Sequence, residues 1–579
     1  MNTDPITTEI IRNAFNAIAE DMSAALGRSA FSPVIYECHD YGVALFDEEA
    51  ETLGQAPGHP FFIGGLDWGV QSVIEKYGAE NLKTGDVFVV NDTYITGGHL
   101  NDVDILSPIF FGQELVGFAS TRAHWFDVGT AEPGFPVNTT EIFQEGIRLG
   151  PTKVMDAGEW VRDTIDILCI NSRAPKVLMG DLNAQIAACR MGERRYVNLI
   201  DRFGLQTVRE SIKQIFSTTA EKYRAFIRQI PDDVYEAEGW ADNDFITDEP
   251  VLVKVKVTIE GDRMTIDTTG SSPQRRGNLN CGYANTISAG RLALVFLYPS
   301  PTPEVNHGSF ESLDVIAEPG SIFAAREPAA CMHPHPGMLM LDLAIKSLAE
   351  VIPDHVAAGL PGDSWNVFIM GNRPDSGEFF VSGEAQEGGW GASAHADGES
   401  ALIHSAAGDF RNIPVETTES RHPLLIRKVA LGTDSGGAGE FRGGLNVVKE
   451  YELLTDSKVT LHFDRAVTPQ WGLFGGHAGA IPKVTLHPSD SDETIDILKV
   501  EQYPLEAGSR LVAETGGGGG YGDPLKRDPE SVRLDVRNGY VSLETARNIY
   551  GVALKQRAQG VDQKETQLCR KTLREQHQD

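Results

Sequence analysis

Apolar side chains recur at three- and four-residue steps from Ile10 through Ala14, Phe15, Ile18, Met22 and Ala25 to Leu26, which predicts one amphipathic helix ending at Gly27. Asp4 is placed to cap its start, and Pro5 sits where a first-turn residue needs no N–H. From about residue 30 to 130, short apolar runs such as Val87-Phe88-Val89-Val90 and Ile105-Leu106 alternate with Gly, Asp and Asn clusters, the pattern of strands and loops. Residues 160–230 hold few glycines and carry Ile186, Ile212, Ile215, Phe216, Phe226 and Ile227 on prospective helix faces. The period then changes to two. Val251, Val253, Val255, Val257 and Ile259 alternate with Leu252, Lys254, Lys256 and Thr258, and Gly261-Asp262 leads into Met264-Thr265-Ile266, which predicts a β-hairpin. Residues 270–525 place many Gly, Pro and His residues between short strands, and a charge-rich helical tail follows from about 528. No fixed period recurs, against a solenoid or propeller. The expectation is an α+β chain of several regions: an N-terminal region over 1–160, a helical segment over 161–235, a β-rich, glycine-rich region over 236–525, and a helical tail over 526–579.

Length supports several packed regions, because 579 residues exceed the roughly 250–300 at which one core stops growing. A chain that is 41% hydrophobic and 23% charged is ordered as a whole. Its 82 acidic against 50 basic residues give a net charge of −32, which repels phosphate backbones and argues against a nucleic-acid partner. Six cysteines without a CxxC pair argue against a disulfide scaffold and fit a reducing cytosol. Neither a signal peptide nor an apolar run near the ~20 residues of a membrane span is visible, so a cytoplasmic protein with no membrane contact is expected.

The richest chemistry lies in Asn91-Asp92-Thr93-Tyr94-Ile95-Thr96-Gly97-Gly98-His99-Leu100-Asn101-Asp102-Val103-Asp104, a polar loop leaving an apolar strand. His99 and Asp102, three apart, share a side on a turn and could bind one metal ion. Arg122-Ala123-His124-Trp125-Phe126-Asp127 follows, and Glu37-Cys38-His39-Asp40 precedes. Two imidazoles with one or two carboxylates leave positions open on a divalent ion, where water is activated. Spacing alone does not separate this from a turn-forming loop with structural histidines.

Other motifs carry less. Gly516–Gly520 with Tyr521-Gly522-Asp523-Pro524 lacks a Lys-Ser/Thr pair, and no Walker A pattern exists in the chain. That run, like Asp434–Gly439 and Arg442-Gly443-Gly444, is expected to be a place where backbone passes close to backbone. No GxSxG elbow is present. In His333-Pro334-His335-Pro336 the prolines predict an extended segment whose histidines face opposite ways, a structural pair rather than a second metal site. Glu384–Trp390 and His395-Ala396-Asp397-Gly398 are candidate cleft linings.

Taken in order, Asp4-Pro5-Ile6, Ser32-Pro33, the Asn91–Asp102 loop, Arg122–Gly129, Gln144-Glu145-Gly146, Gly180-Asp181-Leu182, Thr269–Gln274, Asp434–Gly437, Gly516–Pro524 and Arg527–Glu530 make the chain resemble the B subunits of the ATP-dependent hydantoinase, oxoprolinase and ketone carboxylase family almost end to end. The resemblance implies that a larger A-type partner binds ATP and magnesium and phosphorylates the substrate carbonyl oxygen, while this chain holds one divalent metal, zinc in preference to manganese. In the ketone carboxylase relatives the ligands are a histidine, an aspartate three residues later and a second histidine about 25 residues on, matched here by His99, Asp102 and His124. In the cyclic-amide hydrolases an upstream aspartate, matched by Asp40, is a further ligand. Asp127 is the candidate base or orienting group beside His124.

The implied activity is that of the metal-bearing subunit of an ATP-dependent cyclic amide hydrolase, opening a small lactam, hydantoin or 5-oxoproline-like ring as a heterotetramer of two of each chain. A ketone carboxylase subunit and a non-catalytic interaction subunit are the alternatives.

Overall fold

The computed structural model describes residues 4–576, so the outermost ends of the first and last predicted regions lie outside the described residues. The first helix, Pro5–Ser29, starts as expected, with the Asp4 carboxylate accepting the Thr7 N–H at 3.1 Å. It runs past Gly27, and its buried stripe is Ile11, Phe15, Ile18, Ala19, Met22 and Leu26, with Ile10 exposed. Gly27 stays helical because its bare face accommodates Tyr41: a methyl there would stand 2.9 Å from the Tyr41 hydroxyl.

This helix covers a seven-stranded sheet with the order Thr52–Gln55, Tyr41–Phe46, Glu114–His124, Asp102–Phe111, Val87–Val90, Thr152–Asp156, Glu159–Trp160, antiparallel throughout. Both faces are buried. Val43, Leu45, Val87, Val89, Val103 and Ile105 face the first helix and the long helices Pro175–Phe203 and Leu205–Ile227. Ala44, Phe46, Phe88, Val90, Leu106 and Phe118 face the helix Leu66–Tyr77. Burial on both sides explains why these strands read as apolar runs instead of alternating. The predicted helical segment thus shares one core with the first sheet.

The predicted hairpin forms between Val251–Glu260 and Arg263–Asp267, with Glu260 opposite Arg263 and Gly261 at φ +62° in the turn. It belongs to a four-stranded sheet packed on the helices Tyr283–Leu297 and Pro336–Ser347. Two further sheets, one ordered Phe379–Ala385, Asn366–Asn372, Ser457–His462, Lys499–Leu505 and one of five strands, share a core that includes Trp365, Val367, Leu461 and Leu511. The tail folds into Pro529–Asn538, Leu543–Asn548 and Gln563–Gln576. No described helix is long and apolar enough to cross a membrane.

The Gly516–Gly520 run ties the last regions together. The N–H groups of Gly517, Gly518, Gly519 and Gly520 donate to the carbonyls of Ala480, Gly444, Gly359 and His477 at 2.9–3.1 Å. A methyl on Gly518 would overlap the Trp390 carbonyl, and one on Gly519 the Trp471 carbonyl. Backbone packs on backbone here, as the sequence suggests, and these donors are committed to protein carbonyls.

Candidate metal centre

Strand register brings the predicted ligands together. Asp102 opens its strand and lies directly opposite His124, which closes the neighbouring strand. That strand pairs on its other side with Tyr41–Phe46, and the His124 N–H donates to the Asp40 carbonyl at 3.1 Å. Residues 40, 102 and 124 therefore meet at one end of three adjacent strands, with cross-strand neighbours within side-chain reach.

The loop between strands delivers the fourth group. Asp92 caps a short turn by accepting the Tyr94 N–H at 3.1 Å, and Gly97 and Gly98 take φ of +71° and +67°, which only glycine adopts without strain. Asn91 fixes the loop's base by donating to the Leu100 and Ile147 carbonyls and accepting the Leu149 N–H. His99 then hangs over Asp102, its N–H donating to Asp102 Oδ2 at 3.1 Å.

His99, Asp102 and His124 offer ligand atoms that all lie within 4.8 Å of one another. Asp102 Oδ1 is 3.3 Å from His99 Nδ1 and 3.6 Å from His124 Nδ1, and Asp40 Oδ2 is 3.8 Å from His124 Nδ1. Asp40 Oδ1, His99 Nδ1 and Asp102 Oδ1 are buried without a hydrogen-bond partner. Convergent unpaired atoms of this kind, nitrogen and carboxylate oxygen together, fit a zinc- or manganese-class ion.

Electrostatics divides the four groups. Burial pushes Asp40 up to about 7 and pulls His99 down to about 4. Burial also pulls on His124, but the Asp102 hydrogen bond and the Asp40 charge outweigh it and leave His124 above its usual value. Burial would raise Asp102, yet the neighbouring histidines and Arg122 hold it below the usual carboxylate range.

His59, which the sequence did not single out, joins the group. Its Nε2 is 3.9 Å from Asp40 Oδ1, its ring stacks on Phe62 at 4.0 Å, and burial lowers it to about 3. Its N–H donates to the Tyr41 carbonyl, a link that nothing in Gly58-His59-Pro60 signals. Beneath the cluster, Arg122 and Asp104 form a buried cross-strand pair at 2.5 and 2.8 Å, and Arg122 also donates to the Thr96 carbonyl.

Asp127 is placed differently. Its carboxylate accepts from Ser172 Oγ, from the Arg173 N–H and from Arg173 Nη1 at 2.8 Å, and it does not line the cavity. These bonds tie the segment after His124 to residues 172–173. Of the other cleft candidates, Glu384 lines the cavity, where it pairs with Lys449. His395 is exposed, and Asp397 is held by Arg527.

The cluster opens into a cavity of about 130 Å³ walled by Phe61, Phe62, Phe135, Met338 and Phe368 on its apolar side. His335 also lines it, and here the structure departs from the sequence reading: His333, His335 and His462 converge, with His333 and His335 ring centroids 5.4 Å apart. His335 is helical (φ −64°, ψ −23°) at the start of Pro336–Ser347, so the extended alternation expected across the prolines is broken.

Comparison with known proteins agrees with this arrangement of elements. The family described as Hydantoinase B/oxoprolinase matches residues 4–524. The B subunit of a putative D-/L-hydantoinase from Pseudomonas sp. (strain NS671) is 30% identical, with 98% of each chain covered. The beta subunit of the caprolactamase of Pseudomonas jessenii is 32% identical over 96% of this chain and 97% of that one. A crystal structure of the ATP-dependent caprolactamase from Pseudomonas jessenii superposes with a TM-score of 0.91 at 30% identity, covering 98% of this chain and 99% of that one.

Proposed function

The chain belongs to the hydantoinase B/oxoprolinase family, and from that premise we propose that it is the metal-bearing subunit of an ATP-dependent cyclic amide hydrolase that opens a lactam, hydantoin or 5-oxoproline-like ring. The observation that carries this reading is the convergence of unpaired Asp40, His99 and Asp102 atoms beside His124 at the wall of an apolar cavity. A space of about 130 Å³ suits a small ring, not a polymer. Two of the relatives are themselves named as single subunits of larger enzymes, which supports a partner chain here. We assign ATP binding and phosphorylation of the ring carbonyl oxygen to that larger partner, in a complex of two copies of each chain.

His99, Asp102, His124 and Asp40 would hold the divalent ion, zinc in preference to manganese. The chemistry contributed there is Lewis-acid activation of water or stabilisation of charge developing on oxygen. Around it the protein's own groups have separate tasks. Arg122, fixed by Asp104, holds the strand ends in register beneath the ligands. His59, neutral and with Nδ1 unpaired, is poised to hydrogen-bond a ring substituent, and the surrounding aromatic rings exclude bulk water.

The test is ATP consumption and product formation by the complex reconstituted from both chains, assayed with lactams, hydantoins and 5-oxoproline and, separately, with bicarbonate plus a ketone. Ring opening by the complex, and none by this chain alone, is expected. Turnover only with bicarbonate and ketone would replace the hydrolase reading with a carboxylase one, and no turnover of either kind with metal bound would leave an interaction subunit.

A further inference from the structure

We propose that His333, His335 and His462 form a second divalent-cation site of the zinc class, which nothing in the family reading assigns. The three imidazoles come from separate places: His333 and His335 flank Pro334 ahead of the Pro336–Ser347 helix, and His462 ends the Ser457–His462 strand. One nitrogen from each lies within 4.8 Å of the others. The rings stand 4.4 Å (His333 to His462) and 4.5 Å (His335 to His462) apart by centroid.

Their unpaired atoms point to a ligand. Nδ1 of His333, Nδ1 of His335 and both nitrogens of His462 are buried without a hydrogen-bond partner, and the His462 ring is 1% exposed. Buried polar atoms are rarely left unpaired, and four on adjoining rings are a concentration that one cation would relieve. His333 Nε2 lies 3.3 Å from the Pro136 carbonyl, the outer contact that fixes the tautomer of a ligating histidine and leaves Nδ1 to bind metal. Burial keeps the rings in the neutral form a metal requires.

Charge nearby selects a cation over an anion. Asp363 Oδ1 is 3.2 Å from His335 Nδ1 and 3.8 Å from His462 Nδ1. Its two oxygens accept the Ser364 and Asp464 N–H groups, so the carboxylate is locked toward the rings. Lys499, the lysine whose charge reaches these rings, is engaged by Asp464 at 3.5 Å and Asn243 at 2.9 Å. Three imidazoles and a carboxylate make a borderline nitrogen-rich donor set, suited to zinc and ill suited to magnesium or calcium.

The site is distinct from the first cluster but faces the same space. Phe135 stands between them, its ring 4.9 Å from His99 and 4.5 Å from His333, while His335 lines the shared cavity.

The test is a titration of the full-length chain, stripped with chelator, with Co²⁺ followed by visible absorption and with Zn²⁺ followed by elemental analysis. About two equivalents are expected for the natural chain, falling to about one in His462→Ala and to about one in His124→Ala. His335→Gln gives an independent reading should His462→Ala unfold, circular dichroism reporting the fold in each case. An end point of about one equivalent that His124→Ala abolishes and His462→Ala or His335→Gln leaves intact would overturn the second site and keep the first. An equivalent lost in His462→Ala and kept in His124→Ala would support this site and remove the first assignment.

Discussion

The four groups proposed as ligands in the first cluster do not compete equally with protons. Asp40, pushed up to about 7, and His124, raised above its usual value, must shed protons before ligating, whereas His99, lowered to about 4, is already neutral. Metal affinity should therefore fall as pH drops below about 7, approaching two protons displaced per ion, or roughly a hundredfold per pH unit. Calorimetric titrations in buffers of different ionisation enthalpy between about pH 5.5 and 8 check this; a flat affinity would contradict it. The sign is opposite for stability of the metal-free chain: Asp40 lies above its unfolded value, so its contribution is present at low pH and is lost as pH rises through about 7. His99 and Asp102 were legible from their three-residue spacing, and His124 stood out in a charged cluster. Asp40 needed the family resemblance, because no local pattern relates it to residues 59 to 84 positions away. His59 and His462 carried no local signal, since each meets its neighbours only through tertiary packing.

At the scale of elements, the site depends on the register of three antiparallel strands, which the buried Asp104–Arg122 pair helps fix two positions inside the Asp102–His124 pair. Removing one partner of a buried ion pair leaves an uncompensated charge, at a cost of about 3–5 kcal/mol. Asp104→Ala should accordingly lower unfolding stability by that order in urea titration and weaken metal retention although it touches no ligand. A change within about 0.5 kcal/mol would show that the pair is dispensable. Elements with short-range signatures were readable: the Asp4-Pro5 helix start, the Val87–Val90 strand, and the hairpin turning at Gly261-Asp262. The first helix outran its predicted stop because Gly27 answers to Tyr41 and not to a helix end. The last two sheets were illegible as sheets, since partners such as Asn366–Asn372 and Ser457–His462 are some 90 residues apart.

For the whole molecule, the glycine run holds the C-terminal regions together and, through them, the wall of the cavity that carries Glu384 and Phe368. Gly518→Ala would drive a methyl into the Trp390 carbonyl, which cannot move without breaking other backbone pairs. We expect a loss of at least ~3 kcal/mol or failure to fold, read by thermal unfolding and soluble yield. By contrast, Asp523→Ala loses only a turn-capping bond to the Leu525 N–H and should cost about 1 kcal/mol with metal content unchanged. The central claim, that this chain supplies the metal chemistry of ring opening to an ATP-using partner, is most directly tested by stripping and restoring metal in the reconstituted two-chain complex. The account predicts that chelation abolishes lactam or hydantoin opening, that zinc or manganese restores it, and that a folded complex carrying His124→Ala is not restored by either ion. Full ring opening by the chelated complex, or by the His124→Ala complex, would contradict it.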